Sequence, residues 1–496
     1  MAASRPSARS RLTHGQKMEL AVGKSLSAEN TVPRQVWLSL IVVCSAMGTA
    51  ALAWGWLWII VPLCLLAGLA CLVQPAWGLY LVVVCMFLPY RFLPDSQAYP
   101  INVAISLVIL GFWLQRVVAG KSGFSRTSLD VPFAIWLAIM ALSLTKTYDV
   151  AWGVINLRYH IFLVLLFYVA VGSATLKLSK RLVWLLIAIA SVIAAFNVAQ
   201  FIASGGSERV FGLTRIYFSG LLTLTMVYLT ARICFEPNNL RVSAIGALLV
   251  LAALGQIANQ SRGAMAITIL GMLVVMIAAW RWGSRRDQWL PRRRVIHLAF
   301  GGLGVAIIVV ILAGPIFMHV YGRLLGYERA AVTLNYRFFL WRTAWHAYLQ
   351  NPIIGIGLGQ AQLWDNLLPN VHLDPVGRMT VGLTVHNSFL GYLAETGSVG
   401  IVALLWVFGR MLRSTSTLLR THRADQIGHF VGLWGIVVII IIRAFFEHDV
   451  FFSIAGAATV LFSGLAVRLG SETDRAPRTG GLEEKFPPAT PQSQQS

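Results

Sequence analysis

Long apolar runs alternate with short polar segments along almost the whole chain. Many of the runs approach the roughly 20 residues that a helix needs to cross a membrane. Because the third run is short, the count is either twelve or fourteen spans. The runs cover 36–53, 56–73, 77–90, 101–115, 131–145, 159–173, 182–201, 218–233, 242–259, 264–280, 298–317, 397–412, 427–443 and 451–468. This pattern predicts a polytopic membrane protein with about 12–14 transmembrane helices.

Composition excludes a soluble globular class. Hydrophobic residues make up 57% of the chain and charged residues only 12%, with a mean hydropathy of +0.71. Within lipid, only helices and closed barrels satisfy every backbone hydrogen bond, and runs of this length favour helices. The expected fold class is therefore all-α. The polar stretch 318–396 is expected to form one large outer loop that carries short helices.

The same pattern divides the chain into four parts. Residues 1–35 are polar and basic without an apolar run of their own, which favours a disordered cytoplasmic tail over a cleaved signal peptide. Spans fill 36–201, and a second set of spans with the large loop fills 202–470. Residues 471–496 are rich in Pro, Gln, Ser and Thr and are predicted to be a disordered inner tail.

The net charge of +21 does not indicate nucleic-acid binding. Most of the 40 lysines and arginines fall on one side when the loops are assigned alternately from a cytoplasmic N-terminus. That asymmetry is the usual sign of the cytoplasmic side of a membrane protein, and it also predicts a cytoplasmic C-terminus. The five cysteines lie in or beside apolar runs, so neither a disulfide nor a metal cluster is expected.

Several arginines fall on the predicted outer side, close to the ends of spans. Arg262 lies in the tight turn between two spans, Arg209 and Arg215 lie together in another outer loop, and Arg337 lies in the large loop. A guanidinium binds phosphate oxygens through a fixed fork of donors and stays charged. The cluster suits a lipid-linked diphosphate. The alternative is that each arginine reaches toward lipid headgroups or pairs with the end of a helix.

His386 is the candidate for proton transfer. It precedes an apolar helical pattern that begins with Phe389, so it is expected at the start of a helix, facing the loop. Imidazole accepts a proton near neutral pH and could deprotonate a sugar hydroxyl that attacks an anomeric carbon. The alternative is a histidine that caps or packs the helix. His319, His346, His372 and His448 are also outside and are less well placed for chemistry.

Two other sequence features give weaker indications of function. The segment GIGLGQ (355–360) resembles a phosphate loop, but it does not complete the G-x-G-x-x-G pattern, and turn glycines are the better interpretation. The outer acidic residues are too scattered for a metal site, so metal-independent chemistry without a cofactor is expected. They are Asp365, Asp374, Glu395 and Glu447.

The motifs together resemble the O-antigen ligase and polymerase superfamily of bacterial inner-membrane glycan transferases. Arg337 and Trp341 on one helix precede NPIIGIGLGQ and then HNSFLGYLAETGSVGIVALL, and Ser-Arg-Gly-Ala opens a span at 261–264. An arginine shortly before a span in the preceding outer loop also matches, either Arg209 or Arg215. The resemblance covers about 205–412, and the first 200 residues match only as a series of spans.

The resemblance implies a glycan donor on undecaprenyl diphosphate that faces the periplasm, in contact with membrane lipids. Arg262, with Arg209 or Arg215, would bind the diphosphate as it leaves, and Arg337 would order the loop or contact phosphate. His386 would be the general base, giving inversion at the anomeric carbon. Members usually have about 12 spans, and the large loop here carries no second soluble domain, which leaves the acceptor open.

Three acceptors remain: another lipid-linked glycan for a polymerase, lipid A-core for a ligase, or a protein hydroxyl. The absence of a dedicated outer domain for a protein acceptor favours a polymerase slightly. A transporter or flippase for the same lipid-linked glycan is the alternative from a different class. It would need paired charges inside the spans, for which Arg158 and the pair Arg443 and Glu447 are the only hints.

Overall fold

The computed structural model is an assembly of long helices. It describes residues 74–87, 99–118, 120, 125–204, 215–259, 261–285, 291–298, 327–360, 385–420, 424–447 and 453–475. These residues contain helices and turns but no strand. The predicted spans 36–53, 56–73 and nearly all of 298–317 lie outside the described residues, as does nearly all of both predicted tails.

Twelve α-helices longer than eight residues are described, and a short helix covers 291–298. The first six are α1 (Pro75–Cys85), α2 (Tyr99–Val118), α3 (Asp130–Ser143), α4 (Val150–Ser173), α5 (Leu176–Ala203) and α6 (Arg215–Phe235). The others are α7 (Asn239–Ala258), α8 (Arg262–Arg285), α9 (Tyr327–Gln350), α10 (Ser388–Ser416), α11 (Ala424–Arg443) and α12 (Ser453–Arg475).

The predicted all-α, multi-pass architecture is confirmed. Within the described residues, 7 helices are long and apolar enough to cross a membrane. They are Val150–Ser173, Leu176–Ala203, Phe218–Phe235, Asn239–Ala258, Gly263–Arg285, Ser388–Arg420 and Gln426–Arg443. Two shorter apolar helices, Ala76–Cys85 and Ala104–Val118, accompany them. The choice between 12 and 14 spans stays a prediction, because three predicted runs lie largely outside the described part of the chain.

Some helix boundaries differ from those expected. Helix α4 starts at Val150, well before the predicted span at 159–173, because the Asp149 carboxylate accepts a hydrogen bond from Trp152 N at 3.0 Å and caps the helix. Arg158 therefore lies inside α4, exposed, with its guanidinium 5.4 Å from the ring centroid of Tyr159. At the other terminus, α12 continues to Arg475, past the predicted start of the C-terminal tail.

Helix α6 is the most enclosed of the spans. It packs against α7, α8 and α11. Glycines allow the close approach: a side chain at Gly271 of α8 would meet Val227 of α6, and one at Gly432 of α11 would meet Tyr228 of α6. Small residues at helix contacts are the usual means of bringing membrane helices together. The chain runs up and down the bundle, so the starts of α6, α8 and α10 and the ends of α7 and α11 share one end, here called the His386 end.

Helix α10 is broken near that end. Gly397 has a positive φ of 66°, and the backbone carbonyl of Ile353 occupies the space that a Cβ at 397 would need. Such a break frees backbone groups that must find other partners inside a membrane protein. In this fold, the partners come from the turn that follows α9.

The turn over 351–360, here called the glycine turn, pairs with the break. Ile356 N donates to Ala394 O at 2.9 Å and Gly357 N to Glu395 O at 3.1 Å, while Ser398 N donates to Pro352 O at 2.8 Å. All three glycines of GIGLGQ (355–360) have positive φ angles. The interpretation of this segment as turn glycines, and not as a phosphate loop, agrees with their backbone conformation.

The glycine turn also reaches the start of α4. The side-chain Oε1 of Gln360 accepts a hydrogen bond from Asp149 N at 3.1 Å, and a Cβ at Gly357 would meet the backbone of Thr147. Helix α9 itself packs on the first part of α10. The predicted large loop therefore contains a 24-residue helix that is fixed to two spans, longer than the short helices expected there.

Candidate active site

His386 lies directly before α10, where the sequence places it. Helix α10 starts at Ser388, and the Asn387 side chain caps it by accepting a hydrogen bond from Leu390 N at 3.0 Å. His386 has φ 51°, in the left-handed region. Among the described residues it is the only residue other than glycine with a positive φ. Such a conformation costs about 1–2 kcal/mol for an L-residue and is often found at functional sites.

Hydrogen bonds from Ser388 hold this backbone against the end of α11. Ser388 N donates to Ala444 O at 2.8 Å and to Glu447 O at 3.0 Å, and Ser388 Oγ donates to Glu447 O at 2.7 Å. The Ser388 side chain is fully buried. The start of α10 and the turn after α11 therefore form one unit, although about 60 residues of chain separate them.

This unit pairs His386 with a carboxylate. His386 Nδ1 lies 3.6 Å from Glu447 Oε2, and the side chains are 26% and 7% exposed, respectively. Nε2 of His386 has no hydrogen bond to the described part of the chain. Nδ1 of His386 therefore faces a buried acid, whereas Nε2 does not. A histidine that is supported by a carboxylate needs this geometry to act as a base.

Positive charges surround the Glu447 carboxyl. Burial raises the pKa of this group, but the His386 imidazole and the charges of Arg443 and Arg337 outweigh burial and lower the pKa below its ordinary value. The carboxyl is therefore ionised at neutral pH despite being almost completely buried. An ionised acid in this position stabilises a positive charge on the imidazole.

Arg443 is a buried member of the cluster. It ends α11 and is 9% exposed, and its guanidinium fills the space over Gly220 of α6 where any side chain would stand. A glycine at 220 is therefore needed for Arg443 to lie beside α6. In the sequence, Arg443 and Glu447 are only a hint of a transporter, and Glu447 is one of the scattered outer acidic residues.

Arg337 reaches the cluster from α9. Its Nη2 lies 3.7 Å from the point that a Cβ on Gly263 would occupy, beside the first turn of α8. The first turn of a helix presents unpaired backbone N–H groups and a partial positive charge. With the guanidinium next to it, this corner of the site favours an anion.

The other predicted arginines are only partly described. Arg262 is the first residue of α8, directly before Gly263, so its backbone lies next to the Arg337 guanidinium. Arg215 is the first residue of α6, five positions before Gly220. The side chains of Arg262 and Arg215, and the whole of Arg209, lie outside the described residues. The choice between Arg209 and Arg215 stays open.

A buried polar network supports the ends of α6, α7 and α8. The Asn259 amide donates to Ser219 Oγ, and Thr223 Oγ1 lies 2.7 Å from Thr268 Oγ1. Asn259 caps the end of α7 just before the turn to Arg262. The network thus ties the Arg262 turn to α6, and it has no sequence signature beyond isolated polar residues in apolar runs.

The remaining candidate residues lie apart from this cluster. His346 is exposed on α9, whereas His319, His372 and His448 are outside the described residues. Glu395 is buried beside the break in α10. Among the described residues, no group of three or more His, Cys, Asp or Glu could hold a metal ion. The geometry brings together His386 and Arg337 from the predicted set and adds Glu447 and Arg443.

Comparison with known proteins points to the same segment. Residues 247–405 match the family described as O-antigen ligase. This range includes Arg262, Arg337 and His386. The chain is also 27% identical over 231 residues to the exopolysaccharide production protein ExoQ of Rhizobium meliloti (strain 1021). That match covers 43% of this chain and 47% of the relative, so the chain spans about half the length of the relative it matches.

The family match falls on the motifs, and together the two matches confirm the resemblance to the O-antigen ligase and polymerase superfamily.

Proposed function

We propose that this protein transfers a glycan from an undecaprenyl-diphosphate donor to an acceptor hydroxyl during cell-surface polysaccharide biosynthesis. The observation that carries the proposal is the pairing of His386 Nδ1 with the buried Glu447 carboxylate, 3.6 Å apart, beside the Arg337 and Arg443 charges. The family match and the named relative support the same class of reaction. The site would face the periplasm of the bacterial inner membrane, with both termini cytoplasmic.

His386 acts as the general base. Neutral imidazole removes the proton from the acceptor hydroxyl, and the oxygen attacks the anomeric carbon of the donor from the side opposite the diphosphate. The new glycosidic bond forms as the bond from that carbon to the diphosphate oxygen breaks. The electron pair leaves on the diphosphate, and the configuration at the anomeric carbon inverts. The Glu447 carboxylate stabilises the imidazolium that results.

Arginines bind the leaving diphosphate. Arg337 beside the start of α8 and Arg262 at that start are the primary ligands, together with Arg209 or Arg215. Their guanidinium groups present paired donors to phosphate oxygens and remain charged as negative charge develops on the leaving group. The reaction therefore runs without a metal ion or cofactor.

The acceptor is a second lipid-linked glycan, in a polymerase reaction. The relative is named for exopolysaccharide production, which favours this acceptor. The family is described as O-antigen ligase, which makes lipid A-core the first alternative. A protein hydroxyl is the second. Neither alternative changes the roles of His386 and the arginines, because only the source of the attacking hydroxyl differs.

The test uses purified protein in nanodiscs with a short undecaprenyl-diphosphate oligosaccharide and EDTA. Longer lipid-linked chains from the donor alone are expected, and their absence with His386→Ala or Arg262→Ala would tie the activity to the site. Arg262→Lys should also fail, because a point charge does not replace the bidentate fork. Consumption only with added lipid A-core or protein would identify the other acceptors.

Two outcomes would contradict the proposal. The first is normal product from both alanine variants. The second is a donor that binds but is never consumed with any acceptor, which would favour the transporter or flippase. A leaflet assay with a fluorescent lipid-linked glycan in vesicles would then measure translocation directly.

A further inference from the structure

Helix α9 carries a line of apolar side chains on its outward face. Phe338, Trp345 and Leu349 are 60%, 47% and 54% exposed, respectively. Their spacing of seven and four residues puts them within about 40° of each other around a helix with 3.6 residues per turn. These three residues are here called the α9 stripe.

The opposite face of α9 is already occupied. Leu340, Ala344 and Ala347 are buried, and Ala344 and Ala347 pack in a small apolar cluster with Ala394 of α10. The stripe is therefore not needed to hold α9 on the bundle. A single exposed apolar side chain is ordinary, but an aligned set containing Phe and Trp on one helix face marks a surface that something covers.

The neighbouring surface indicates that membrane lipid covers the α9 stripe. Helix α10, on which α9 packs, is a candidate span and exposes Val402 and Leu405 at 65% and 51%. In a spanning helix, such side chains face the hydrocarbon. Ile353, in the glycine turn that follows α9, is also exposed and extends the apolar surface between the two helices.

A cationic side chain on the same face indicates how deep α9 lies in the membrane. Arg342 is exposed and lies one turn after Phe338, about 40° around the helix from it. Its aliphatic stem can lie along the apolar surface while the guanidinium contacts lipid phosphate. Trp345 beside it is the residue type enriched where a membrane meets water.

We propose that α9 is an interfacial helix that lies in the outer leaflet of the membrane. The α9 stripe inserts at the boundary between acyl chains and headgroups, and Arg342 binds the phosphate of an anionic phospholipid. The occupant is the bilayer itself. A second copy of this chain, or the polyprenyl chain of a donor, are the other candidates, and the test below separates them.

Docking of this kind fixes the height of Arg337. Arg337 precedes Phe338 on α9, about 100° around the helix, and approaches Gly263 of α8. A helix held at headgroup depth keeps this guanidinium at the level where a lipid diphosphate lies. This consequence rests on the proposed function, but the docking itself does not, and it is tested without any assay of transfer.

The experiment places nitroxide labels on the full chain in nanodiscs. The five cysteines are first replaced with alanine, and single cysteines are then introduced by Trp345→Cys, Leu349→Cys and, as the matched control, Gln350→Cys. Gln350 is exposed and polar, follows Leu349 directly, and lies about 100° away from it around α9. Oxygen enters lipid and a nickel chelate stays in water, so accessibility to each reports immersion.

Labels at 345 and 349 should be several times more accessible to oxygen relative to the nickel chelate than the label at 350. Equal nickel accessibility at all three positions would overturn the proposal. Labels at 345 and 349 that are immobile, shielded from both reagents and broadened by a nearby second label would also overturn it, because a second copy would then cover the stripe.

A second measurement keeps the native cysteines. The photoreactive residue p-benzoyl-phenylalanine replaces Trp345 in one variant and Gln350 in another, and lipid adducts are identified by mass spectrometry. Phospholipid adducts are expected at 345 and not at 350. Adducts with polyprenyl chains in place of phospholipid, in nanodiscs that contain both, would overturn bilayer docking in favour of the donor tail.

Lipid charge tests the role of Arg342. Immersion of the label at 345 should be greater in nanodiscs with phosphatidylglycerol than in nanodiscs with phosphatidylcholine alone, and Arg342→Gln should remove that difference. The same immersion in both lipids for the natural arginine would overturn the assignment of an anionic headgroup to this position.

Discussion

Two histidines at opposite ends of the bundle meet contrasting surroundings. His386 lies at the edge of the site, 26% exposed, with Nδ1 3.6 Å from Glu447. His429 of α11 is completely buried, and both of its ring nitrogens are hydrogen-bonded. Tyr228 OH lies 2.7 Å from Nδ1, and Ser179 Oγ lies 3.0 Å from Nε2.

On the proposed function, the difference separates an imidazole that takes part in transfer from one that supports the fold. At His429, two hydrogen bonds join three helices and occupy both ring nitrogens. At His386, a charged acid faces one nitrogen, and the backbone is held in a conformation that histidine adopts at a cost. The contrast predicts that substitutions at His386 lower the rate of transfer, whereas substitutions at His429 lower the stability of the fold.

The largest effect is expected from His386. His386→Ala should lower the rate of transfer by about 10²–10⁴-fold, the usual contribution of a positioned base. His386→Gly should be equally inactive but more stable than His386→Ala, because both variants lose the imidazole and only glycine adopts a positive φ freely. Transfer rates and thermal melting in detergent measure both effects. Substantial transfer by the glycine variant would remove His386 from the chemistry.

A smaller effect is expected from Arg337. Arg337→Lys should reduce kcat/KM by roughly 10–100-fold, since lysine keeps the charge but loses the paired donors. The matched control is Arg413→Lys, an exposed arginine of α10 at the opposite end of the bundle, which should leave kcat/KM unchanged. Equal effects of the two substitutions would show that the paired donors of Arg337 do not bind the diphosphate.

Glu447→Gln should lower kcat by about tenfold, because a neutral amide stabilises the positive imidazole less well than a carboxylate does. Steady-state kinetics at one pH measure the effect. An unchanged kcat would contradict a direct pairing with His386.

The pKa of Glu447 also sets the sign of a stability effect. Because that pKa is lowered in the folded chain, the ionised carboxylate stabilises the fold above its ordinary pKa. This stabilisation is lost as the pH falls through the lowered value. Melting temperatures at acidic pH should therefore fall less in Glu447→Gln than in the natural chain.

The smallest effect on transfer is expected from His429. His429→Phe leaves the hydroxyls of Tyr228 and Ser179 without their partner and should lower the stability by ~1–3 kcal/mol. Transfer per folded molecule should be unchanged. Pairing it with Tyr228→Phe should recover part of the loss, because one orphaned hydroxyl is then removed. A loss of transfer as large as that of His386→Ala would break the distinction between the two ends.

Local patterns in the sequence predicted the parts of the site that depend on local structure. The helix start after His386 followed from the spacing of apolar residues, and the GIGLGQ turn followed from glycine chemistry. The spans followed from run length, although Asp149 moved one boundary by its capping side chain. Each of these features is encoded within about 20 consecutive residues.

The missed features depend on distant contacts. Glu447 meets His386 only because Ser388 joins the start of α10 to the end of α11. Arg443 and Glu447 are separated by one helical turn at the end of a span, and that spacing is a signal that could have drawn attention to them. Nothing local could have indicated that Gly220 leaves room for Arg443, since that contact joins residues more than 200 positions apart.

The break in α10 has a mechanical consequence. A broken spanning helix is ordinarily a hinge, but the glycine turn binds residues on both sides of Gly397, from Ala394 to Ser398. The break is therefore rigid, because these backbone hydrogen bonds fix the angle between the two halves of α10. Any tilt of the spanning half of α10 therefore moves the first half and His386 with it. On the proposed function, any movement that admits a glycan must therefore occur at another element of the molecule.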